Sequence, residues 1–501
     1  MADLSDPVSV TPSAETTTSS WFFGRTFNTL RRGWWERLAG SVWGDSAART
    51  PLRPELPDED AERLRVWMRD CLEAKGGEVS ARARAASLGR SYLSLNPEGR
   101  VRFLKILAAE FGPESSAVDQ AALQLTQAKT MPERADAERA MRRALEAPRG
   151  KLITQFNGLP EGIKFLVDLR ADLLSVVKTD PDLAALEEEL KGMLTAWFDV
   201  GFLELRRITW SSAAALLEKL IAYEAVHAIA SWADLKNRLD SDRRCFGFFH
   251  PRMPDEPLIF VEVALTRGIA GDVQALLDQN APVLDPTKAD TAIFYSISNA
   301  QRGLDGISFG NFLIKRVVDQ LASEFPNIKT FATLSPIPGF RRWLNKQFSK
   351  SDQTPYPALS SAGYNAPKNG AGSSPKSSSD MAAILSRPDW WQDGPVAEEV
   401  KPILLRLAAT YLAKEKRPNG KALDRVAHFH LSNGAQMEQL NWLADRSDNG
   451  MTQSAGMMIN YLYRLDRIDD NHEAYSGAGE ITLSPSIRAL LRDKTKKKKA
   501  K

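Results

Sequence analysis

The spacing of apolar residues divides the chain into a helical first part and a mixed second part. Between about residues 54 and 194, apolar side chains recur every three or four positions, as in Leu183, Leu186 and Leu190, and this period predicts amphipathic helices. Beyond Trp197, short runs rich in β-branched and aromatic residues predict strands. These runs are 245–249, 258–265, 292–298 and 329–334.

A chain of 501 residues is too long for one ordinary core. We therefore predict an α+β multidomain protein. An all-helical bundle occupies 51–195, and an α/β domain with a mixed sheet occupies 196–485. Within the second domain, 349–380 is rich in Ser, Pro, Gly and Asn, which predicts a low-complexity insertion, either inert or acting as a lid.

One segment, 291–343, combines a strand, a glycine-rich loop and an amphipathic helix. The loop carries Gly303, Gly306 and Gly310, and from Phe309 onward the apolar residues recur at helical spacing. Glycines let main-chain N–H groups approach an anion, and a helix N-terminus supplies further unpaired N–H donors. The order predicts phosphate binding, with an ordinary glycine turn before a core helix as the alternative.

The charge distribution does not favour a nucleic-acid partner. The formal net charge is +3, but six of the last eight residues are lysines, so the rest of the chain is slightly acidic. We predict that 486–501 is a solvated basic tail, with attraction to anionic surfaces as the alternative.

Neither a membrane span nor an export signal is apparent. No run of about 18 apolar residues occurs, so we predict no membrane insertion. Residues 1–50 are expected to be disordered or loosely packed; within them, 21–43 could form a Trp- and Arg-rich helix that packs on the body or rests on a membrane surface. The acidic, Ser/Thr-rich beginning resembles neither a secretory signal nor a mitochondrial presequence, and the chain does not end in Ser-Lys-Leu. With only Cys71 and Cys245, we predict a reducing, cytoplasmic location.

Several motifs together resemble the malonyl-CoA decarboxylase family. They are FYSIS at 294–298, GNFLIKRVV at 310–318, EFP at 324–326 and LSPIPGF at 334–340, with further segments at 165–174, 243–266 and 426–445. They follow the family's order between about residues 140 and 463. Residues 303–308 also approximate the acyl-CoA loop of the GNAT acetyltransferase superfamily, so the resemblance implies a GNAT-like catalytic domain.

The resemblance implies a carboxy-lyase that converts malonyl-CoA to acetyl-CoA and CO2, in either fatty-acid or malonate metabolism. The thioester carbonyl accepts the electron pair left by departing CO2, so we expect no cofactor beyond the CoA of the substrate, and no metal. The family's catalytic pair maps to Ser335 in LSPIPGF and His430 in FHL-x-NGA. We expect His430 to protonate the enolate with Ser335 sharing in the transfer; an acyl-enzyme is the alternative.

Other positions are matched to the substrate by the same resemblance. Ser296 and Tyr463 lie near it in the family, with ordinary buried hydrogen bonding as the alternative. Ser308 stands where some relatives carry Glu, so that position offers no carboxylate. Lys315 and Arg316 could neutralise CoA phosphates or lie on a solvated helix face. The residues assigned to CoA binding are Arg302, Gly303, Asp305, Gly306, Ile307, Ser308, Phe309, Gly310 and Asn311.

Three alternatives concern chemistry and assembly. If the segment around His428 and His430 is extended, the two share a strand face, as in a His-x-His metal site; without a third ligand, we expect His428 to be structural. A CoA-dependent N-acyltransferase and a non-catalytic malonyl-CoA sensor are rival functions, and the presence of both Ser335 and His430 favours the decarboxylase. We expect the helical domain to mediate self-association as a dimer or tetramer.

Overall fold

In a computed structural model of the chain, residues 51–73, 77–307, 313–349 and 378–492 are described. The N-terminal segment 1–50 and most of the predicted insertion and basic tail lie outside these residues. The chain forms two compact units. We call them the N-terminal unit, Met1–Phe198 with Gln301–Ile307, and the C-terminal unit, Asp199–Ala300 with Ser308–Lys501.

The described part of the N-terminal unit is helical. Polar caps start several of its helices, as where Asn96 accepts from the Gly99 N–H and where Thr130 and Glu133 form a capping box. The periodic residues Leu183, Leu186 and Leu190 are all buried, so the predicted helical period is confirmed. The helices are α1 Asp58–Leu72, α2 Gly77–Ser94, α3 Pro97–Glu110, α4 Ser115–Gln127, α5 Met131–Ala144, α6 Pro148–Asn157, α7 Gly162–Leu174 and α8 Pro181–Trp197.

A mixed eight-stranded sheet forms the centre of the C-terminal unit. Its order is β1-β2-β3-β4-β5-β8-β6, with β7 paired to β8. Only the β4–β5 pair is parallel; the other described pairs are antiparallel. The strands are β1 Glu204–Ile208, β2 Arg243–His250, β3 Met253–Thr266, β4 Thr291–Asn299, β5 Thr330–Thr333, β6 Ser335–Pro336, β7 Gln436–Asn441 and β8 Met458–Leu462.

The four predicted strands are confirmed as β2 to β5, and the expected α+β architecture with a mixed sheet is confirmed with them. The sequence prediction did not include β1, β6, β7 or β8. Except in β8, these strands lack the run of β-branched and aromatic residues that marked β2 to β5, and pairing with neighbouring strands stabilises them. Every described helix is too short or too polar to traverse a bilayer.

Helices cover the sheet and position the site. The predicted helix after the glycine loop is α12, and its apolar face is buried, which consists of Leu313, Ile314, Val317, Val318 and Leu321. The segment with His428 and His430 is helical (α16), so the extended geometry that would place both on one strand face is wrong. The helices of this unit are α9 Ala214–Tyr223, α10 Trp232–Arg238, α11 Val273–Leu277, α12 Leu313–Glu324, α13 Phe340–Ser349, α14 Ser378–Ser386, α15 Gly394–Lys414, α16 Arg425–Ser432, α17 Asp448–Ser454, α18 Ile468–Ala478 and α19 Pro485–Leu491.

Candidate active site

Three residues from distant parts of the sequence meet in the C-terminal unit. Ser335 lies in β6, His430 lies near the end of α16, and Tyr463 directly follows β8. The Ser335 Oγ is 3.0 Å from the His430 Nε2, and the Tyr463 hydroxyl is 2.8 Å from the His430 Nδ1. The Tyr461 ring stacks on the imidazole at 4.6 Å between centroids. Both imidazole nitrogens therefore have partners, and the plane of the ring is fixed.

Asp424 connects the chain segments that carry Ser335 and His430. Its carboxylate caps α16 by accepting the Val426 and Ala427 N–H groups, each at 2.9 Å. It also accepts from the Gly339 N–H of LSPIPGF and from the Tyr411 hydroxyl. A Cβ at Gly339 would lie 2.1 Å from the Tyr411 hydroxyl oxygen, so this approach requires glycine.

The NGA part of the histidine motif ends α16. The Asn433 and Gly434 N–H groups donate to carbonyls of the last helical turn, and Gly434 has a φ of 80°, the left-handed conformation that glycine adopts at helix ends. A Cβ there would also lie 2.2 Å from the Ile468 carbonyl oxygen. The motif therefore fixes where the helix stops, two residues after His430.

Burial keeps His430 neutral. The residue is 2% exposed, and burial lowers its pKa to about 3 because a charged imidazolium would lose its hydration there. Burial also raises the pKa of the Tyr463 hydroxyl well above its ordinary value. Near neutral pH, both groups are uncharged.

The hydrogen-bond directions assign the proton on His430. Ser335 donates its hydroxyl proton to the Thr333 Oγ1 at 2.8 Å, so its oxygen accepts from the His430 Nε2–H. The Nδ1 then carries no proton and accepts from the Tyr463 hydroxyl. The network donates in one direction, from Tyr463 through His430 and Ser335 to Thr333.

Ser296 lies at the same edge of the sheet. Phe294 of β4 is opposite Thr333 of β5 in the parallel pair, so Ser296 and Ser335 each come two residues beyond this match. The Ser296 hydroxyl donates to Glu224, with its oxygen 2.8 and 2.9 Å from the two carboxylate oxygens. Because its one proton is given to Glu224, Ser296 presents only lone pairs to any other group.

A buried carboxylate cluster surrounds this serine. Glu224 also accepts from the Ser298 hydroxyl at 3.0 Å and from the Val226 and His227 N–H groups. Glu262 is opposite Ser296 on β3, and burial together with the charge of Glu224 raises its pKa to about 7.

Only part of the predicted CoA loop lies among the residues that the structure describes. Arg302, Gly303, Asp305, Gly306 and Ile307 belong to the N-terminal unit. Arg302 lies in a 3-10 turn with an exposed side chain, and Gly306 has a φ of 74°. Ser308, Phe309, Gly310 and Asn311 lie outside the described residues.

Three other predicted positions have structural partners. Lys315 pairs with Asp469 at 3.1 Å. Arg316 is half-buried, lies over the Phe248 ring and donates to the Leu203 carbonyl, so it is not on a solvated face. The His428 Nδ1 is 2.8 Å from the Tyr475 hydroxyl, which agrees with a structural role.

Sequence reasoning missed Thr333, Asp424, Tyr461 and Glu224. Asp424 directly precedes the helix that contains His430, which is the N-cap signal. Thr333 lies two residues before Ser335 on the same run, and Tyr461 lies two residues before Tyr463. Glu224 carries no comparable local signal, because it reaches Ser296 across 72 residues.

Two domain families match the chain in order. The Malonyl-CoA decarboxylase N-terminal domain matches residues 111–198, and the Malonyl-CoA decarboxylase C-terminal domain matches 201–501. "Malonyl-CoA decarboxylase, mitochondrial" of Mus musculus is 35% identical over 486 residues, which cover 91% of this chain and 92% of the relative. The protein of the same name from Anser anser anser is 35% identical over 441 residues, covering 82% of this chain and 84% of the relative.

Solved structures give the same result. The crystal structure of malonyl-CoA decarboxylase from Rhodopseudomonas palustris is similar with a TM-score of 0.77 and 42% identity, covering 85% of this chain and 99% of that one. The corresponding structure from Agrobacterium vitis gives 0.75 and 41%, covering 86% and 100%. With both family domains in order and relatives matched along most of their length, this chain belongs to the malonyl-CoA decarboxylase family.

Proposed function

We propose that this protein is a carboxy-lyase that converts malonyl-CoA to acetyl-CoA and CO2. Membership of the family supports the substrate and the reaction. The observation that carries the mechanism is the 3.0 Å contact between the Ser335 Oγ and the His430 Nε2, with Tyr463 on the other imidazole nitrogen.

The reaction breaks one carbon–carbon bond and makes one carbon–hydrogen bond. As CO2 leaves, the electron pair of the broken bond moves into the α-carbon–carbonyl system, and negative charge develops on the thioester oxygen. The resulting enolate takes one proton from the protein at the α-carbon, and solvent later returns a proton to the protein. Because the thioester carbonyl is itself the electron acceptor, we propose that no cofactor or metal ion takes part.

The proton passes from His430 through Ser335. In this step, the Ser335 hydroxyl turns from Thr333 to the α-carbon and receives the Nε2 proton as it gives up its own. Loss of the Nε2 proton leaves His430 as an imidazolate, which the Tyr463 hydroxyl stabilises through its bond to the Nδ1 and which then takes a proton from solvent. An enolate is a strong base, so a neutral donor is sufficient, and the low pKa of His430 keeps the site free of a buried positive charge.

The same directions argue against an acyl-enzyme. A serine nucleophile needs a histidine whose unprotonated nitrogen faces the hydroxyl. Here the protonated nitrogen faces Ser335, and Ser335 donates to Thr333 instead. The arrangement supports proton delivery rather than attack on the thioester.

The remaining substrate contacts are part of the same proposal. The loop Arg302–Asn311 binds CoA, and Ser296 and Tyr463 line the acyl end. We also propose self-association through the N-terminal helices, whose α4–α5 hairpin exposes Leu123, Met131 and Leu145. We propose a cytoplasmic location, because a chain of 501 residues with only two cysteines suits a reducing compartment.

The test is incubation of purified protein with malonyl-CoA alone. Acetyl-CoA, free CoA and CO2 are measured for wild type, His430→Asn and the matched control His428→Asn. His428 also lies on α16 and also contacts a tyrosine hydroxyl, so its variant controls for the loss of an imidazole from this helix. We expect equal amounts of acetyl-CoA and CO2, a large loss only in His430→Asn, and no free CoA.

Other outcomes identify the rival functions. Free CoA without CO2 would indicate acyl transfer or hydrolysis. Binding without turnover would indicate a sensor, and an equal loss in the two histidine variants would remove His430 from the chemistry.

A further inference from the structure

The side chain of a buried arginine on α7 donates hydrogen bonds to main-chain carbonyls of the predicted CoA loop. Arg170 is 1% exposed. Its Nη1 donates to the Gly303 carbonyl at 2.6 Å, and its Nη2 donates to the Asp305 carbonyl at 3.0 Å. Glu187 of α8 balances the charge, with its Oε1 2.6 Å from the Nη2. One guanidinium therefore fixes two carbonyls of the loop, and a fork of fixed N–H donors suits this geometry.

The loop lies too close to α7 for any residue but glycine at position 303. A Cβ on Gly303 would lie 1.7 Å from the Val167 carbonyl oxygen, which is one turn before Arg170 on the same helix. The contacts with Arg170 and Val167 thus fix the distance between the loop and α7. The first glycine of the predicted CoA motif is required by this close approach rather than by flexibility.

A lysine on α8 lies beside the same loop. Lys191 is one helical turn after Glu187, and its Nζ is 3.4 Å from the position that a Cβ on Gly306 would take. Within the residues that the structure describes, no carboxylate pairs with Lys191, whereas Glu187 is paired with Arg170.

The loop therefore has both positive and negative side chains beside it, and the positive ones can contact an anion. Arg302 is exposed and contributes a second positive group, while Asp305 is exposed and contributes a negative one. A half-buried ammonium without a carboxylate partner, next to a glycine whose main chain is open, is an arrangement that suits a phosphate.

We propose that α7 and α8 form part of the CoA-phosphate site: Lys191 binds a phosphate of CoA, and Arg170 positions the main chain of Gly303 and Asp305 beside it. The inference rests on the proposed CoA binding by this loop. Lys191 is a binding residue, whereas Arg170 acts through the loop main chain and is a positioning residue.

The first experiment tests Lys191 by comparing substrates with and without phosphates. Malonyl-CoA and malonyl-pantetheine are given to wild type, Lys191→Gln and Lys151→Gln. The last variant removes the same charge from an exposed position of α6. We expect Lys191→Gln to lower kcat/KM about tenfold for malonyl-CoA, mainly through KM, with no comparable fall for malonyl-pantetheine. An equal effect on the two substrates, or an effect no larger than that of Lys151→Gln, overturns the assignment.

The second experiment tests Arg170 with a matched arginine. Arg149 is also buried, also pairs with a glutamate of α8 (Glu189) and also donates to a main-chain carbonyl, but that carbonyl belongs to Ala108 of α3. We expect Arg170→Met to raise the Kd for CoA about tenfold, Arg170→Lys to restore part of the affinity, and Arg149→Met to leave CoA affinity unchanged at a similar loss of Tm. Equal Kd values for the Arg170→Met and Arg149→Met variants would contradict the proposal.

Calorimetric titration with CoA separates this inference from the proposed reaction. If wild type binds CoA but does not release CO2, the decarboxylase proposal fails while the variants still test the site. If Arg170→Met does not fold, the Lys191→Gln comparison, made at a half-buried surface position, decides the proposal alone.

Discussion

At the scale of single residues, the two histidines of α16 show how surroundings determine chemistry. His430 and His428 each have a tyrosine hydroxyl 2.8 Å from the Nδ1. His430 is fully buried and has Ser335 on its other nitrogen. His428 is half-buried, and burial together with the positive charges of Arg417 and Lys421 lowers its pKa. Only His430 therefore has both a fixed tautomer and an acceptor for its proton.

This contrast predicts the effect of Tyr463→Phe. Loss of the hydroxyl removes the donor to the Nδ1 and allows the imidazole to change tautomer, so we expect kcat to fall about tenfold or more with little change in KM. Steady-state kinetics with malonyl-CoA measure this. Tyr475→Phe removes the equivalent bond to His428 and serves as the control; a similar fall in kcat for both variants would show that the effect is general loss of packing.

At the scale of elements, the site depends on how α16 meets the LSPIPGF loop. Asp424 caps the helix and accepts the Gly339 N–H, so one carboxylate fixes both segments. Burial raises the pKa of Asp424, while the N–H donors and Tyr411 oppose this rise. The distance between Ser335 and His430 is therefore set by a residue that contacts neither of them in the described hydrogen-bond network.

Asp424→Ala should weaken both stability and catalysis. We expect a loss of roughly 2–4 kcal/mol in the free energy of unfolding, because a helix cap is lost and buried N–H donors are left without acceptors. Kinetics at a temperature where the variant is folded should show lower kcat. As the control, Ser447→Ala removes the cap of α17 and should lower the free energy of unfolding by about 1 kcal/mol with kcat unchanged. A normal kcat in the Asp424→Ala variant would show that Asp424 does not position Ser335 and His430.

At the scale of the whole molecule, burial of neutral imidazoles makes stability depend on pH. His430 has a pKa of about 3 in the folded state and about 6.5 when unfolded. Well above pH 6.5 neither state binds the proton. As the pH falls from about 6.5 towards 3, the unfolded chain binds a proton that the native state does not, so stability is lost. His227 and His428 also have lowered pKa values and act in the same direction.

We predict that one side chain, that of His430, causes part of the pH dependence of the free energy of unfolding. Between about pH 6 and pH 4, His430 should contribute close to 1.4 kcal/mol of lost stability per pH unit, and His430→Asn should remove this part of the slope. Urea unfolding of both proteins at several pH values measures the difference. If the free energy of unfolding depends on pH equally in both proteins, His430 becomes protonated in the folded state. A fall in kcat below about pH 6.5 that is caused by protonation of His430 would lead to the same conclusion.

The sequence predicted elements with a strong local pattern well and elements without one poorly. The buried face of α12 and the strands β2 to β5 carry their signal within one segment, so local pattern was sufficient. The extended geometry for His428 and His430 was wrong because Asp424 and Gly434 start and stop a short helix there. The cap was visible in the sequence, but the close approach of Ile468 to Gly434 was not.

The sequence by itself determined the family, the helical and mixed parts, and the residue types at Ser335, His430 and Tyr463, since motifs and periods are properties of neighbouring positions. Only the tertiary structure decided that Ser296 donates to Glu224, that Ser335 accepts from His430, and that Arg170 holds Gly303. Each of these bonds joins residues 72 to 133 positions apart. Their directions follow from burial and competing partners, which no local stretch of sequence specifies.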